Sequence, residues 1–152
     1  MKLLVIIFAS MVFTSTFAQN QFSEADAHKV VNIFFEGFHK GDTLLMKSVM
    51  ADEMIMQTAY TDKRGQHKLN SDDPNGFLST IANRPADQKW DERLLDYKVE
   101  IDGNLAHVWT PYEFWLNETF LHCGANSFTL AKFDEGWKII HLIDSRRKEG
   151  CI

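Results

Sequence analysis

The chain has 152 residues, 45% of them hydrophobic and 24% charged, with a formal net charge of −5. A chain of this length buries roughly two-thirds of the surface it exposes when unfolded, so one domain can fold without a disulfide or metal staple. Its lysines and arginines are scattered apart from Arg146-Arg147-Lys148, which excludes a phosphate-tracking basic face and, with it, a nucleic-acid partner.

The N-terminal stretch carries Lys2, an apolar run from Leu3 to Phe13 and small residues at Thr16 and Ala18. That is the plan of a secretory signal peptide cleaved near Ala18, since the run is shorter than the roughly 18 residues a spanning helix needs. The expectation is an exported chain, periplasmic or secreted, with a single domain over 19–152 and no membrane association after cleavage. Export leaves the reducing cytosol, so a bridge between Cys123 and Cys151 is chemically allowed. A turn over Asp134–Gly136 sets Cys123 opposite Arg147, however, and a bridge then requires the tail to fold back within about 7 Å. Two free thiols are the expectation, with the bridge as the alternative.

Ser23 with Asp26 forms a capping-box start, and Ala27, Val31, Phe34, Phe35 and Phe38 recur at helical spacing up to Gly41. His28 and His39 lie three turns apart on this helix, too far to share a metal, and are read as surface residues. Gly41 ends the first helix and Asp42 caps a short second one over 44–50. Met54, Met56, Thr58 and Tyr60 alternate as a strand, and Asp73-Pro74 starts a third helix bearing Phe77, Leu78 and Ile81. Pro85 to Asp91 reads as a polar connection containing Trp90. Leu95, Tyr97, Val99 and Ile101 then alternate with charged residues as a half-buried strand, turned by Asp102-Gly103 into a long strand over 105–116. Turns at Asn117-Glu118 and Asp134–Gly136 complete a meander of three strands from Phe114 to Arg147.

Carrying the face of Leu95–Ile101 through these turns puts Ala106, Val108, Thr110 and Tyr112 inside, followed by Leu121, Cys123, Ala125, Ser127 and Ala131, then Trp137, Ile139, His141, Ile143, Ser145 and Arg147. Small residues on a covered face leave room for a ligand. The opposite face then carries Leu105, His107, Trp109, Phe128, Leu130, Ile140 and Leu142, too much apolar surface for a monomer, and is expected to be a homodimer interface. Pro111 cannot donate to a ladder, so a bulge there would swap the faces of Tyr112 and Glu113.

The order helix, Gly41-Asp42, second helix, strand, third short helix and a meander ending in GWKIIHLIDSRR resembles the nuclear transport factor 2-like superfamily. The HCGANSF and DSRR stretches resemble its secreted bacterial lumazine-binding group. The resemblance implies an α+β, cystatin-like fold, a curved antiparallel sheet forming a cone around N-terminal helices, with a pocket inside and dimerisation through the outer sheet.

The preferred function is a small-molecule binder for an aromatic or anionic ligand. Tyr60, Trp90, Tyr97 and Tyr112 would give flat contact, Cys123 and Ser145 would lie among them, and His141 and Arg147 would give polar or anionic recognition. One alternative is an isomerase, cyclase or dehydratase type of enzyme, with His141, or Glu113 if the bulge delivers it, as base. A non-catalytic protein adaptor is another. Cys123 as a nucleophile has His122 on the opposite face and His141 well along the sheet, and His107, His122 and Asp144, which this reading puts together on the outer face, belong to an interface rather than a metal site. No cofactor is expected.

Overall fold

A computed structural model describes residues 22–151, so the expected signal peptide and its cleavage point lie outside the described residues. Helix α1 (Glu24–Lys40) opens on the Ser23/Asp26 capping box and closes on Gly41 in the left-handed conformation at φ 73°. Asp42 caps α2 (Thr43–Lys47), and Asp73 with Pro74 opens α3 (Pro74–Ala82). These are the starts and stops the sequence announces. Each depends on a capping side chain or, at Gly41, on the backbone freedom of glycine, and so on local chemistry alone.

Among the described residues seven strands form one sheet: β1 (Met50–Thr61), β2 (His67–Asp72), β3 (Trp90–Leu94), β4 (Lys98–Asp102), β5 (Leu105–Leu116), β6 (Thr119–Phe133) and β7 (Gly136–Arg147). The order is β2-β1-β7-β6-β5-β3, with β4 also paired to β5. The sheet is curved, unclosed and mixed rather than wholly antiparallel, because β1 runs parallel to β7. The expected strand over Leu95–Ile101 is shorter, only its second half forming β4, and a separate strand β3 begins at Trp90, within the stretch expected to be a connection. Trp90–Leu94 pairs with the far half of β5 and Lys98–Asp102 with its near half.

Pro111 sits between these two halves and causes no bulge: β5 stays in continuous register with β6 from Leu105↔Ala131 to Phe114↔His122. Its carbonyl accepts Leu95 N–H, and its missing donor faces the gap between β3 and β4, where a ladder bond is least needed. The bulges are elsewhere. Trp115 pairs with Phe120 and Phe114 with His122, leaving Leu121 as an extra residue. Leu130 pairs with Ile139 and Thr129 with His141, leaving Ile140 extra. Each bulge reverses the faces of the strand beyond it.

The consequences correct the face assignment. Phe128 and Leu130 are fully buried and Leu142 is 7% exposed, all three in the core against α1 and not on an outer interface. Leu105, His107 and Trp109 do lie on the outer face of β5, and Ile140 is the bulged residue of β7. Tyr112 stays inside, whereas Cys123, His141, Ser145 and Arg147 turn outward and His122, Asn126, Asp144 and Arg146 turn inward. The physical reason is the core: the slipped register buries Phe128, Leu130 and Leu142, at about 2 kcal/mol each, where the regular one would bury Ser127, Ala131 and His141.

Cys123 does pair with Arg147, as expected, because a tighter turn (Phe133↔Gly136) and the Ile140 bulge offset each other. The tail nevertheless folds back. Gly150 at φ 64° turns it, Arg147 Nη2 donates to Gly150 O at 3.2 Å, and Cys123 and Cys151 form a disulfide with Cα atoms 5.8 Å apart. The free-thiol expectation is thereby overturned, since local turn geometry in the last four residues was invisible in strand counting. The bridge closes a 28-residue separation, so reduction is expected to lower stability by about 3 to 4 kcal/mol. Urea midpoints with and without dithiothreitol test this.

Candidate functional site

A cavity of about 700 Å³ opens between α1, α3 and the inner face of the sheet. One wall is aromatic. Phe34 and Phe38 come from the α1 stripe, Phe77 from α3, Trp90 from β3 and Phe114 from β5. Phe38 lies 5.8 Å from Trp90 and 6.3 Å from both Phe77 and Phe114, centroid to centroid. Trp90 is fixed by its Nε1–H donating to Gln88 Oε1 at 2.9 Å, with the Arg84 guanidinium 5.9 Å from its ring.

The floor is polar, built from residues that the two bulges rotate inward. Asp144 accepts Thr58 Oγ1–H at 2.6 Å, Tyr112 O–H at 3.0 Å and Arg146 Nε–H at 3.3 Å. Tyr112 also shares its proton with Ser145 O at 3.3 Å. To get there its ring crosses β6 at Gly124, the only residue type that leaves room. Burial, together with the Asp144 and Glu92 charges, raises the phenol's pKa far above its ordinary value. Beside this group Asn126 Nδ2–H donates to Glu92 Oε1 at 2.7 Å.

Glu92 is held from behind. His39 Nε2 accepts its backbone N–H at 3.0 Å, so His39 is a half-buried link between α1 and β3 and not the surface residue expected. Burial keeps the His39 pKa below its ordinary value. Burial also pushes the Glu92 carboxyl up to about 7, with the Asp144 charge adding to the rise and the Asn126 bond opposing it. His122 stacks on Phe114 at 5.0 Å and meets Tyr112 edge-on at 5.8 Å. Burial, with Arg146 nearby, brings it down to about 4, so it is neutral at neutral pH.

Of the expected pocket residues, Trp90 lines the cavity, and Tyr112 is buried behind its floor with its hydroxyl on Asp144. The others lie apart. Tyr60 is 39% exposed near the end of β1, and Tyr97 stacks on His28 and bonds Asn32 beside α1. Cys123 is in the disulfide, and Ser145 Oγ accepts Ala125 N–H on the outer face. His141 bonds Gln57 Oε1 at 3.1 Å and Arg147 holds the tail. Glu113 faces outward, its carboxylate accepting Trp115 Nε1–H at 3.0 Å, so neither expected base reaches the cavity. The inner face carries two carboxylates, Glu92 and Asp144, neither of them among the expected site residues. His122 and Asp144 are parted from His107, which bonds Ser127 on the outer face. Among the described residues no group of three or more His, Cys, Asp or Glu side chains is placed to hold a metal.

Helices packed on one face of a curved, open sheet around such a cavity define a nuclear transport factor 2-like, cystatin-like protein. Solved structures agree on the fold. A nuclear transport factor 2-like protein from Cytophaga hutchinsonii matches with a TM-score of 0.65 at 11% identity, over 83% of this chain and all of that one. A superfamily member from Salmonella enterica matches at 0.61 and 17% identity, over 84% and 93%. A cystatin-like-fold protein of unknown function from Nostoc punctiforme matches at 0.62 and 10%, over 84% and 95%. Within this class the chain belongs to the family described as putative lumazine-binding, whose model matches residues 23–142. No curated protein matches it.

Proposed function

We propose that the protein is an exported small-molecule binder whose ligand lies in the cavity, with a flat apolar body against Phe38, Phe77, Trp90 and Phe114 and a polar end on Glu92, Asn126 and Asp144. The observation that carries this reading is the pairing of an aromatic wall with a hydrogen-bonded polar floor in one cavity of about 700 Å³, the form that small-molecule sites take. The family description points the same way. Native mass spectrometry of protein purified from its own host, followed by denaturation, is expected to release a stoichiometric aromatic compound. Loss of that compound on Thr80→Trp, which fills the cavity from α3, ties it to the site; retention excludes the cavity.

Export is supported by the Lys2 and Leu3–Phe13 pattern and by the disulfide, which persists in oxidising compartments. The domain proposed for the mature chain is 19–152. Homodimerisation is supported by the outer face, where Leu105 is 51%, Trp109 40% and Ile55 54% exposed. Sedimentation should give a dimer that Trp109→Glu dissociates; a monomer at every concentration removes this part of the proposal.

Acid–base catalysis is the second reading, and a specific residue favours it. Glu92, with its pKa near 7, takes the place of His141 and Glu113 as the group able to give or accept a proton at neutral pH.

A further inference from the structure

We infer that the cavity selects an aromatic nitrogen cation, a flat molecule bearing an amidine-, guanidine- or protonated aminoheterocycle-type group whose N–H donors meet Glu92 and the neighbouring edge of Asp144. The inference rests on the small-molecule reading above and names its ligand class. An aromatic or anionic molecule was the sequence expectation, but His141 and Arg147, which carried its anionic part, both turn to the outer face.

The charge inside is of the opposite sign. Glu92 and Asp144 stand in the floor and Asp72 and Asp73 at the rim, against the one guanidinium of Arg146. Arg146 is half-exposed and already donates to Asp144, so inside this cavity an anion meets only a paired cation beside a carboxylate, and the basic residues Arg147 and Lys148 lie in the adjoining pocket that Arg146 borders. A cation meets the converse. Glu92, which lines the cavity, spends Oε1 on Asn126, while Oε2 receives no side-chain or backbone donor among the described residues and is not fully buried. The aromatic wall adds ring faces, which attract cations and planar delocalised groups.

The groups facing Glu92 are Asp144 and Arg146 from β7, His122 and Asn126 from β6, and His39 from α1 behind its backbone. With His122 neutral, Arg146 is the single positive charge among them. A bound cation therefore favours ionised Glu92, and binding releases a proton when the free carboxyl is protonated.

Three probes of one shape and different charge test this on the full mature protein: 2-naphthamidine, 2-naphthamide and 2-naphthoate, by calorimetry at pH 6 and pH 8. At pH 8 naphthamidine should bind about ten-fold or more tighter than naphthoate, and its affinity should fall about ten-fold at pH 6, where Glu92 is mostly protonated. Glu92→Gln should remove that pH dependence and shrink the preference to about three-fold. Naphthoate binding as tightly as naphthamidine to the unmutated protein overturns the inference, whether or not Glu92→Gln folds. If naphthamide or naphthoate then binds and Thr80→Trp abolishes it, the cavity reading stands without the cation. If none of the three binds, both fall.

Discussion

Gly124→Ala is expected to lower the unfolding free energy by about 3 kcal/mol or more, through overpacking in a well-packed site. A methyl carbon at that position would stand 1.7 Å from Ser145 O and 2.8 Å from Tyr112 Cε1. The first neighbour is backbone. It cannot retreat without opening the β6–β7 ladder, in which Gly124 pairs with Arg146 and Ala125 with Ser145. The second is the ring whose hydroxyl reaches Asp144, so moving it leaves a buried carboxylate short of a donor. Gly103→Ala is the comparison. That glycine has φ 56° but open space around it, and the loss there should be about 1 kcal/mol. Urea unfolding of both variants decides the matter; equal losses would mean that the crossing of Tyr112 over Gly124 is not a constraint.

The pH dependence of stability should contain two opposing contributions from the cavity. The Glu92 pKa rises on folding from 4.5 to about 7, so the folded state holds a proton that the unfolded state releases. Its contribution is present below about pH 4.5 and is lost as pH rises through 7. The His122 pKa falls on folding from 6.5 to about 4. Its contribution is present above pH 6.5 and is lost as pH drops through 4. Each amounts to at most about 3 kcal/mol, reduced by the partial exposure of both residues. Between pH 4.5 and 6.5 the two slopes offset in the wild type. Relative to it, Glu92→Gln should gain stability from pH 5 to 8, and His122→Phe, which keeps the ring stack on Phe114, should gain it from pH 6.5 down to 4. Thermal unfolding across this range is the check, and parallel profiles for all three proteins would refute the assigned protonation states.

Both expectations concern residues that the sequence reading placed on the wrong face or passed over. Glu92 fell at the edge of a supposed polar connection, although Trp90, Glu92 and Leu94 alternate as a strand does. Asn126, Asp144 and Arg146 were set outside because faces were carried through turns by counting, and a count takes no notice of an extra residue. One signal was available. Phe128, Leu130 and Leu142 share the parity of Asn126, Asp144 and Arg146 in their own strands, and side chains that large are costly to leave in water. Weighing the largest apolar residues would have pointed to a slip after the Asn117-Glu118 turn.

What the amino-acid sequence determined by itself is whatever depends on near neighbours. The capping box at Ser23, the Gly41-Asp42 and Asp73-Pro74 junctions, the tight turns and the overall α+β order all follow from caps, backbone preferences and apolar periodicity within a few residues. The inner face of β5, Ala106 to Tyr112, follows too, because its alternation runs unbroken through Pro111. Tertiary structure alone decided the rest. The bulges at Leu121 and Ile140 exist because α1 and α3 must cover Phe128, Leu130 and Leu142, a competition between residues far apart in the chain. The floor of Glu92, Asn126, Asp144 and Arg146, and the sign of the charge it presents to a ligand, are consequences of that competition.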